Sequence, residues 1–116
     1  MHVEDYLLLM KTIPIKHRGI VREHKLYKIY LPIDMNDLWR ELHSRNIRFD
    51  VIVLIPKIEE EDKPELLKII NKIVMRKRII TREYKRFKIY LASAYNGLWK
   101  YFNERGIKVD VVLILR

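Results

Sequence analysis

The side chains that could act as catalysts or metal ligands are few and scattered in this chain of 116 residues. There is no cysteine, which excludes disulfides, thiolate zinc sites and thiol nucleophiles. No glycine-rich phosphate loop and no Ser–His–Asp order is present. The four histidines, which lack the spacing of metal ligands, are His2, His17, His24 and His43. We therefore predict a protein that is not an enzyme and that needs neither a metal nor a cofactor.

Two pairs of carboxylates recur 60 residues apart and are the remaining candidates for chemistry. Asp50 and Asp110 each stand at the start of an apolar run, where we interpret them as residues that begin a strand. Glu23 and Glu83 each lie among arginines and lysines, which favours ion pairing. A carboxylate nuclease site is the weaker interpretation of both pairs.

The recurrence extends to most of the chain, because a shift of 60 residues aligns its two halves without a gap. Over residues 6–56 against 66–116, 18 of 51 positions are identical. We infer an internal duplication. The predicted organisation is one repeat unit at residues 1–56, an acidic linker at 57–63 and a second unit at 64–116. A unit of this size buries too little surface to be secure alone, so we expect the two to pack as one domain and as an intramolecular pseudo-dimer.

Hydrophobic periodicity places the same elements in both units. The segments 13–21 and 73–81 are basic and β-branched, and are predicted strands. Alternation in 27–31 and 87–91 predicts half-buried strands whose lysines point outward. The nearly continuous apolar runs 49–55 and 109–115 are predicted to be buried strands. Residues 66–73 look helical, whereas 7–13 are open between helix and strand.

A short helix is predicted between the second and third strands of each unit, starting at Asn36 and at Asn96 as N-caps. Asn46 and Gly106 align after the helices, and both residue types tolerate the positive φ of a C′ position. The apolar face of each helix carries a tryptophan, Trp39 or Trp99, for which core packing is favoured over base stacking.

The basic turn and strand at 22–32, the short helix and the segment 46–54 resemble the swapped-hairpin AbrB/MazE/SpoVT family of DNA-binding proteins. The second copy is similar at 82–91 and 106–113. Phe49 and Val109 replace the glycine that the family carries before its turn aspartate. The resemblance implies an α+β, mostly β fold in which two tandem β-β-α-β repeats form one pseudo-twofold, swapped-hairpin-like barrel. The alternative is an unrelated duplicated α+β domain.

The net charge of +9 is unevenly distributed, with +2 in the first unit, −2 in the linker and +9 in the second unit. The cations concentrate before and along the Lys-Ile-Tyr-Leu strands, where the resemblance implies contacts with DNA. Arg76 is added because it belongs to the same run of basic residues. The candidate nucleic-acid-binding residues are Arg18, Arg22, Lys25, Lys28, Arg76, Arg78, Arg82, Lys85, Arg86 and Lys88.

The alternative to a binding role for these cations is a solvated basic surface. The absence of cysteine and glutamine, with many isoleucines and charged residues, is typical of proteins from hot environments. Tyr30 and Tyr90 fall on the lysine face, where a stacking or phosphate-contacting role and ordinary sheet packing are equally compatible with the pattern.

We predict a small basic protein that binds double-stranded DNA as an AbrB-like transcriptional regulator in the cytoplasm, without membrane association. An RNA ligand is a further alternative, and a homodimer of the whole chain is left open. The alternative class is a protein-interaction module, antitoxin-like or a viral accessory protein, without nucleic-acid binding. Its recruiting feature would be a sheet edge or the apolar Tyr-Leu-Leu-Leu-Met stretch at residues 6–10.

Overall fold

The computed structural model describes residues 11–115 and shows an α+β fold in which strands predominate, as predicted. The strands are β1 (Thr12–Arg18), β2 (Val21–Glu23), β3 (Leu26–Tyr30), β4 (Phe49–Leu54), β5 (Lys72–Arg78), β6 (Thr81–Glu83), β7 (Arg86–Tyr90) and β8 (Val109–Leu115). The helices are α1 (Asn36–Ser44) and α2 (Asn96–Arg105), and single 3₁₀ turns occupy Ile33–Met35, Glu65–Lys68 and Ser93–Tyr95. The apolar stretch at 6–10 lies outside the described residues.

The strands form two antiparallel sheets of four strands each. Sheet A has the order β1-β8-β4-β5, so each of its neighbouring pairs joins a strand before the linker to one after it. Sheet B has the order β2-β3-β7-β6, which is two hairpins joined through their inner strands. At the centre of sheet A Ile52 faces Val112, and at the centre of sheet B Ile29 faces Ile89.

The predicted swapped-hairpin-like barrel does not form as a closed barrel, because the two sheets remain separate. The segment 13–21 was expected to form a single strand, but it is interrupted. The pairing of β1 with β8 shifts register between Ile15 and Arg18, where His17 has a φ of 55°. The chain then leaves sheet A and starts again in sheet B at Val21. No continuous ladder therefore connects the sheets along this segment, and the same break recurs at Lys77.

The recurring aspartates stabilise these breaks, and their predicted place near the start of a strand is confirmed. The Asp110 carboxylate accepts a hydrogen bond from the backbone N–H of His17 at 2.9 Å. The Asp50 carboxylate accepts one from the N–H of Lys77 at 3.2 Å. Each aspartate thus satisfies an N–H group that leaves the regular ladder at a β-bulge.

The inner faces of both sheets and the apolar faces of both helices contribute to one hydrophobic cluster. Trp39 and Trp99 are fully buried in it, which confirms the prediction of core packing. Their indole N–H groups donate to the carbonyls of Pro32 and Ala92, both at 2.8 Å, so no polar atom of either ring is left unpaired.

The two predicted helices are present, but Asn36 and Asn96 are not their N-caps. A 3₁₀ turn precedes each helix, so both asparagines already have helical backbone geometry. Their side-chain amides donate instead to the carbonyls of Lys85, at 3.0 Å, and Lys25, at 3.3 Å. Each helix start therefore contacts a hairpin turn of the other half.

The helix ends match the prediction, because Asn46 and Gly106 have φ values of 51° and 64°. The prediction of a helix at 66–73 is wrong. Only the 3₁₀ turn Glu65–Lys68 forms there, and β5 begins four residues later.

The acidic linker is mostly exposed, and Glu60 and Asp62 tie it to α2, with Asp62 Oδ2 lying 3.5 Å from Arg105 Nη2. The Glu60 carboxylate accepts hydrogen bonds from the Tyr101 hydroxyl at 2.7 Å and from Arg105 at 2.9 Å. The Tyr101 and Arg105 hydrogen bonds lower the pKa of Glu60.

Candidate nucleic-acid interface

The lysines expected on the exposed face of sheet B are buried. Lys28 and Lys88 point away from the core, but their residues are only 4% and 5% exposed. They pair across β3 and β7 with Tyr90 and Tyr30, and neighbouring side chains cover their aliphatic stems and ammonium groups. The predicted face is correct for these two candidates, but they are buried on it and offer little surface to a ligand.

Both ammonium groups belong to a cluster of four charges, which we call the lysine–glutamate cluster: Lys28, Lys88, Glu23 and Glu83. Lys28 Nζ lies 2.8 Å from Glu23 Oε1 and 3.3 Å from Glu83 Oε1. Lys88 Nζ lies 3.0 Å from Glu23 Oε1 and 3.2 Å from Glu83 Oε1. Each lysine is therefore shared between a glutamate of its own half and one of the other half. The ion pairing predicted for the two glutamates is confirmed.

Two tyrosines complete the hydrogen bonding of this cluster. The Tyr30 hydroxyl donates to Glu83 Oε2 at 2.6 Å, and the Tyr90 hydroxyl donates to Glu23 Oε2. The rings also lie beside the ammonium groups, with Lys28 Nζ at 4.7 Å from the Tyr30 centroid and Lys88 Nζ at 4.9 Å from that of Tyr90. The tyrosine hydroxyls are thus already engaged within the sheet.

The cluster holds all four of its charges. The hydrogen bonds from Lys28, Tyr90 and Lys88 lower the pKa of Glu23 to about 2. The hydrogen bonds from Tyr30 and Lys88 lower the pKa of Glu83 to about 2 as well. Burial by itself would lower the pKa of Lys88, but its hydrogen bonds to the tyrosine and both glutamates raise it overall. The negative charges of the two glutamates are consequently balanced by lysines that are buried in sheet B.

Because the buried lysines pair with both glutamates, the surface cations of the two hairpins are left without carboxylate partners. Among residues 11–115, no salt bridge involves seven of the ten candidates. Five of these seven lie on the hairpins of sheet B, and we call them the free hairpin cations: Arg22, Lys25, Arg82, Lys85 and Arg86. The other two, Arg18 and Arg78, are the last residues of β1 and β5 in sheet A, just before the chain enters sheet B. Segments 18–30 and 78–90 contain nine basic and two acidic residues, a net charge of +7 out of the +9 of the whole chain.

The tips of the hairpins are fixed by two of these cations. His24 and Tyr84, the first residues of the two turns, both have a φ of 55°. Arg22 Nε donates to the His24 carbonyl and Arg82 Nε to the Tyr84 carbonyl, both at 2.9 Å. The remaining guanidinium nitrogens stay at the surface.

The cations of one patch come from both halves of the chain. Arg18 Nη1 of the first half lies 3.5 Å from the carbonyl oxygen of Tyr30. The Arg86 guanidinium of the second half lies over the ring of the same tyrosine, 3.4 Å from its centroid. A ligand that contacts this region would meet side chains that are 68 residues apart in sequence.

Arg76 is separate from the other candidates. It lies in sheet A, and its guanidinium forms a salt bridge of 3.4 Å with Asp50. The structure does not bring it to sheet B, so we leave Arg76, Lys28 and Lys88 out of the proposed interface.

Sequence reasoning missed the role of the two tyrosines and of the asparagines that brace the hairpin turns. The recurrence of Glu, Lys and Tyr together in both halves was a usable signal. Three polar residue types repeated on the two strands of each hairpin indicate that they contact one another rather than water.

Comparison of the chain with protein-family models, with curated proteins and with solved structures finds no match. The resemblance to the AbrB/MazE/SpoVT family therefore stays a sequence-based prediction. Within residues 11–115, no helix is long and apolar enough to cross a membrane. The same part of the chain contains no group of three His, Asp or Glu side chains placed to hold a metal ion.

Proposed function

We propose that this protein binds double-stranded DNA through the free hairpin cations of sheet B and acts as a non-enzymatic transcriptional regulator of the AbrB-like type. The observation that carries the proposal is that the five free hairpin cations, with Arg18 and Arg78 at the adjoining ends of β1 and β5, form no salt bridge among residues 11–115, while the two acidic residues of the hairpins are paired with buried lysines. Unpaired surface cations of this kind release condensed counterions when they contact phosphates.

The architecture supports the proposal in a second way. We propose that the chain is an internal duplication whose halves are intertwined as a pseudo-dimer, a proposal supported by the crossed pairing of sheet A and the central Ile29–Ile89 pair. In that arrangement the two hairpins belong to one sheet and can contact one ligand together. A pseudo-twofold protein and a DNA duplex have related symmetry.

A fluorescence-anisotropy titration with a labelled duplex, repeated over a range of salt concentrations, tests the binding. We expect the affinity to fall steeply with salt. The logarithm of the binding constant should fall against the logarithm of the salt concentration with a slope of about 0.9 for each phosphate contact. The double variant Arg82→Ala with Arg86→Ala should bind more weakly, with a slope smaller by up to about 2. Because Arg82 also braces its turn, the variant Lys25→Ala with Lys85→Ala gives a second readout without that contact.

The matched control is Lys57→Ala with Lys68→Ala, which removes the same two positive charges from outside sheet B, where both lysines pair with glutamates. It should leave the salt slope unchanged. Absence of duplex binding at low salt, or an equal loss in the control, would overturn the proposal. Competition by single-stranded RNA in the same assay would show whether RNA is the preferred ligand.

A second candidate function, protein interaction, is favoured by the outer face of sheet A. Leu54 and Val74 are 40% and 43% exposed there, beside the half-buried Ile52 and Val112. The occupant that we propose is a second copy of this chain, because the face is centred on the Ile52–Val112 pair and presents corresponding residues on its two sides. Sedimentation at several concentrations tests it, and a monomer throughout would exclude it.

A further inference from the structure

The two ends of sheet B differ on its outer face at the first residue of each inner strand. Arg86 is the first residue of β7 and follows its hairpin turn directly. The corresponding first residue of β3 is Leu26, which is 42% exposed. The last residue of both strands is a tyrosine, Tyr30 or Tyr90, and Arg86 lies over the ring of Tyr30. One end of the sheet therefore carries a guanidinium where the other carries an aliphatic side chain.

Arg86 is held in place without being neutralised. Its guanidinium lies over the Tyr30 ring at 3.4 Å, and the Tyr30 hydroxyl is itself anchored on Glu83. Among residues 11–115, no hydrogen bond or salt bridge engages this guanidinium. Stacking orients the planar group while leaving its N–H donors available. Such a pre-oriented fork matches the O6 and N7 acceptors of guanine in the major groove.

Leu26 has no donor to offer at the other end. An aliphatic side chain at a base edge can contact the methyl group of thymine, but it cannot recognise guanine by hydrogen bonds. The turns also differ, since His24 precedes Lys25 where Tyr84 precedes Lys85. The cations that would contact the DNA phosphates recur at both ends, as Arg22 with Lys25 and as Arg82 with Lys85. Phosphate contacts would therefore be similar at the two ends, while base contacts would not.

We propose that the DNA site is asymmetric: Arg86 reads a guanine at one end, Leu26 reads none at the other, and the protein binds its duplex in a single orientation. This inference rests on the proposed function, and it assigns specificity to Arg86 rather than mere affinity.

Selection from a randomised duplex library tests the asymmetry. The wild-type protein should enrich a non-palindromic sequence with guanine preferred at one end, by about 5- to 100-fold over other bases, the range expected of a bidentate arginine contact. Leu26→Arg should make the enriched sequence two-ended. Arg86→Lys keeps the charge and removes the fork, so it should preserve the salt slope and lose the guanine preference.

The orientation is measured separately with a cleavage reagent on a single cysteine, which the cysteine-free chain permits. His24→Cys and Tyr84→Cys place the reagent at opposite hairpin turns, and each should cut only one end of an asymmetric site. Cutting at both ends by each variant, a palindromic wild-type selection, or an unchanged guanine preference in Arg86→Lys would overturn the inference while duplex binding persists. Failure of the wild type to retain duplex at low salt would instead overturn the underlying function.

Discussion

The two sheets have similar inner faces and opposite outer faces. Both inner faces are apolar and enter one core. The outer face of sheet B carries the lysine–glutamate cluster and its tyrosines, whereas sheet A exposes Leu54 and Val74 around the Ile52–Val112 pair. The difference teaches that polarity and exposure are separate properties of a strand face. Lys28 and Lys88 of sheet B are more deeply buried than Leu54 and Val74 on the outer face of sheet A.

The largest effect is expected from removing both carboxylates of the cluster. Glu23→Gln with Glu83→Gln would leave two buried ammonium groups close together without counter-charges. Removing the partner of a buried charge is strongly destabilising, so we expect the melting temperature to fall by roughly 10–20 °C. Thermal unfolding followed by circular dichroism measures it. Glu59→Gln with Glu61→Gln removes the same charge from the exposed linker, and an equal loss there would contradict the role of the cluster.

Acid should unfold the protein through the same two groups. The pKa values of Glu23 and Glu83 are held at about 2, below their ordinary value of 4.5, so these carboxylates favour the folded state above about pH 5. That contribution is lost as the pH falls from about 5 towards 2. The melting temperature of the wild type should decrease over this window, and the double glutamine variant should decrease much less. Glu60, whose pKa is also lowered, leaves a smaller residual dependence.

A smaller effect is expected where an aspartate holds the bulge of sheet A. Asp110→Ala would leave the N–H of His17 without its acceptor, at a cost of about 1–2 kcal/mol in urea unfolding. Asp110→Asn keeps a carbonyl oxygen that can accept the same hydrogen bond, so it should cost less. If alanine and asparagine were equivalent, the hydrogen bond would not be what stabilises the bulge.

The smallest effect is expected on the outer face of sheet A. Val74→Thr keeps the β-branched shape at an exposed position, so the free energy of unfolding should change by less than about 0.5 kcal/mol. A larger loss that grows with protein concentration would show that a second copy covers this face. The outer faces of both sheets would then be covered, rather than that of sheet B alone.

Several features could be predicted from the sequence because they depend on neighbours along the chain. The helices with their buried tryptophans, the positive φ at Asn46 and Gly106, and the apolar strands follow from local periodicity and backbone preferences. The concentration of cations on segments 18–30 and 78–90 is likewise a property of the sequence alone.

Only the tertiary structure decided which of those cations are available. Alternation assigns Lys28 and Lys88 to the face opposite the core, but it cannot show that a glutamate from the other half binds each ammonium group. The same holds for the patch in which Arg18 and Arg86 meet on Tyr30. Periodicity determines the side of a strand on which a residue lies. Whether that side is covered depends on strand pairing between distant segments, which a local pattern does not encode.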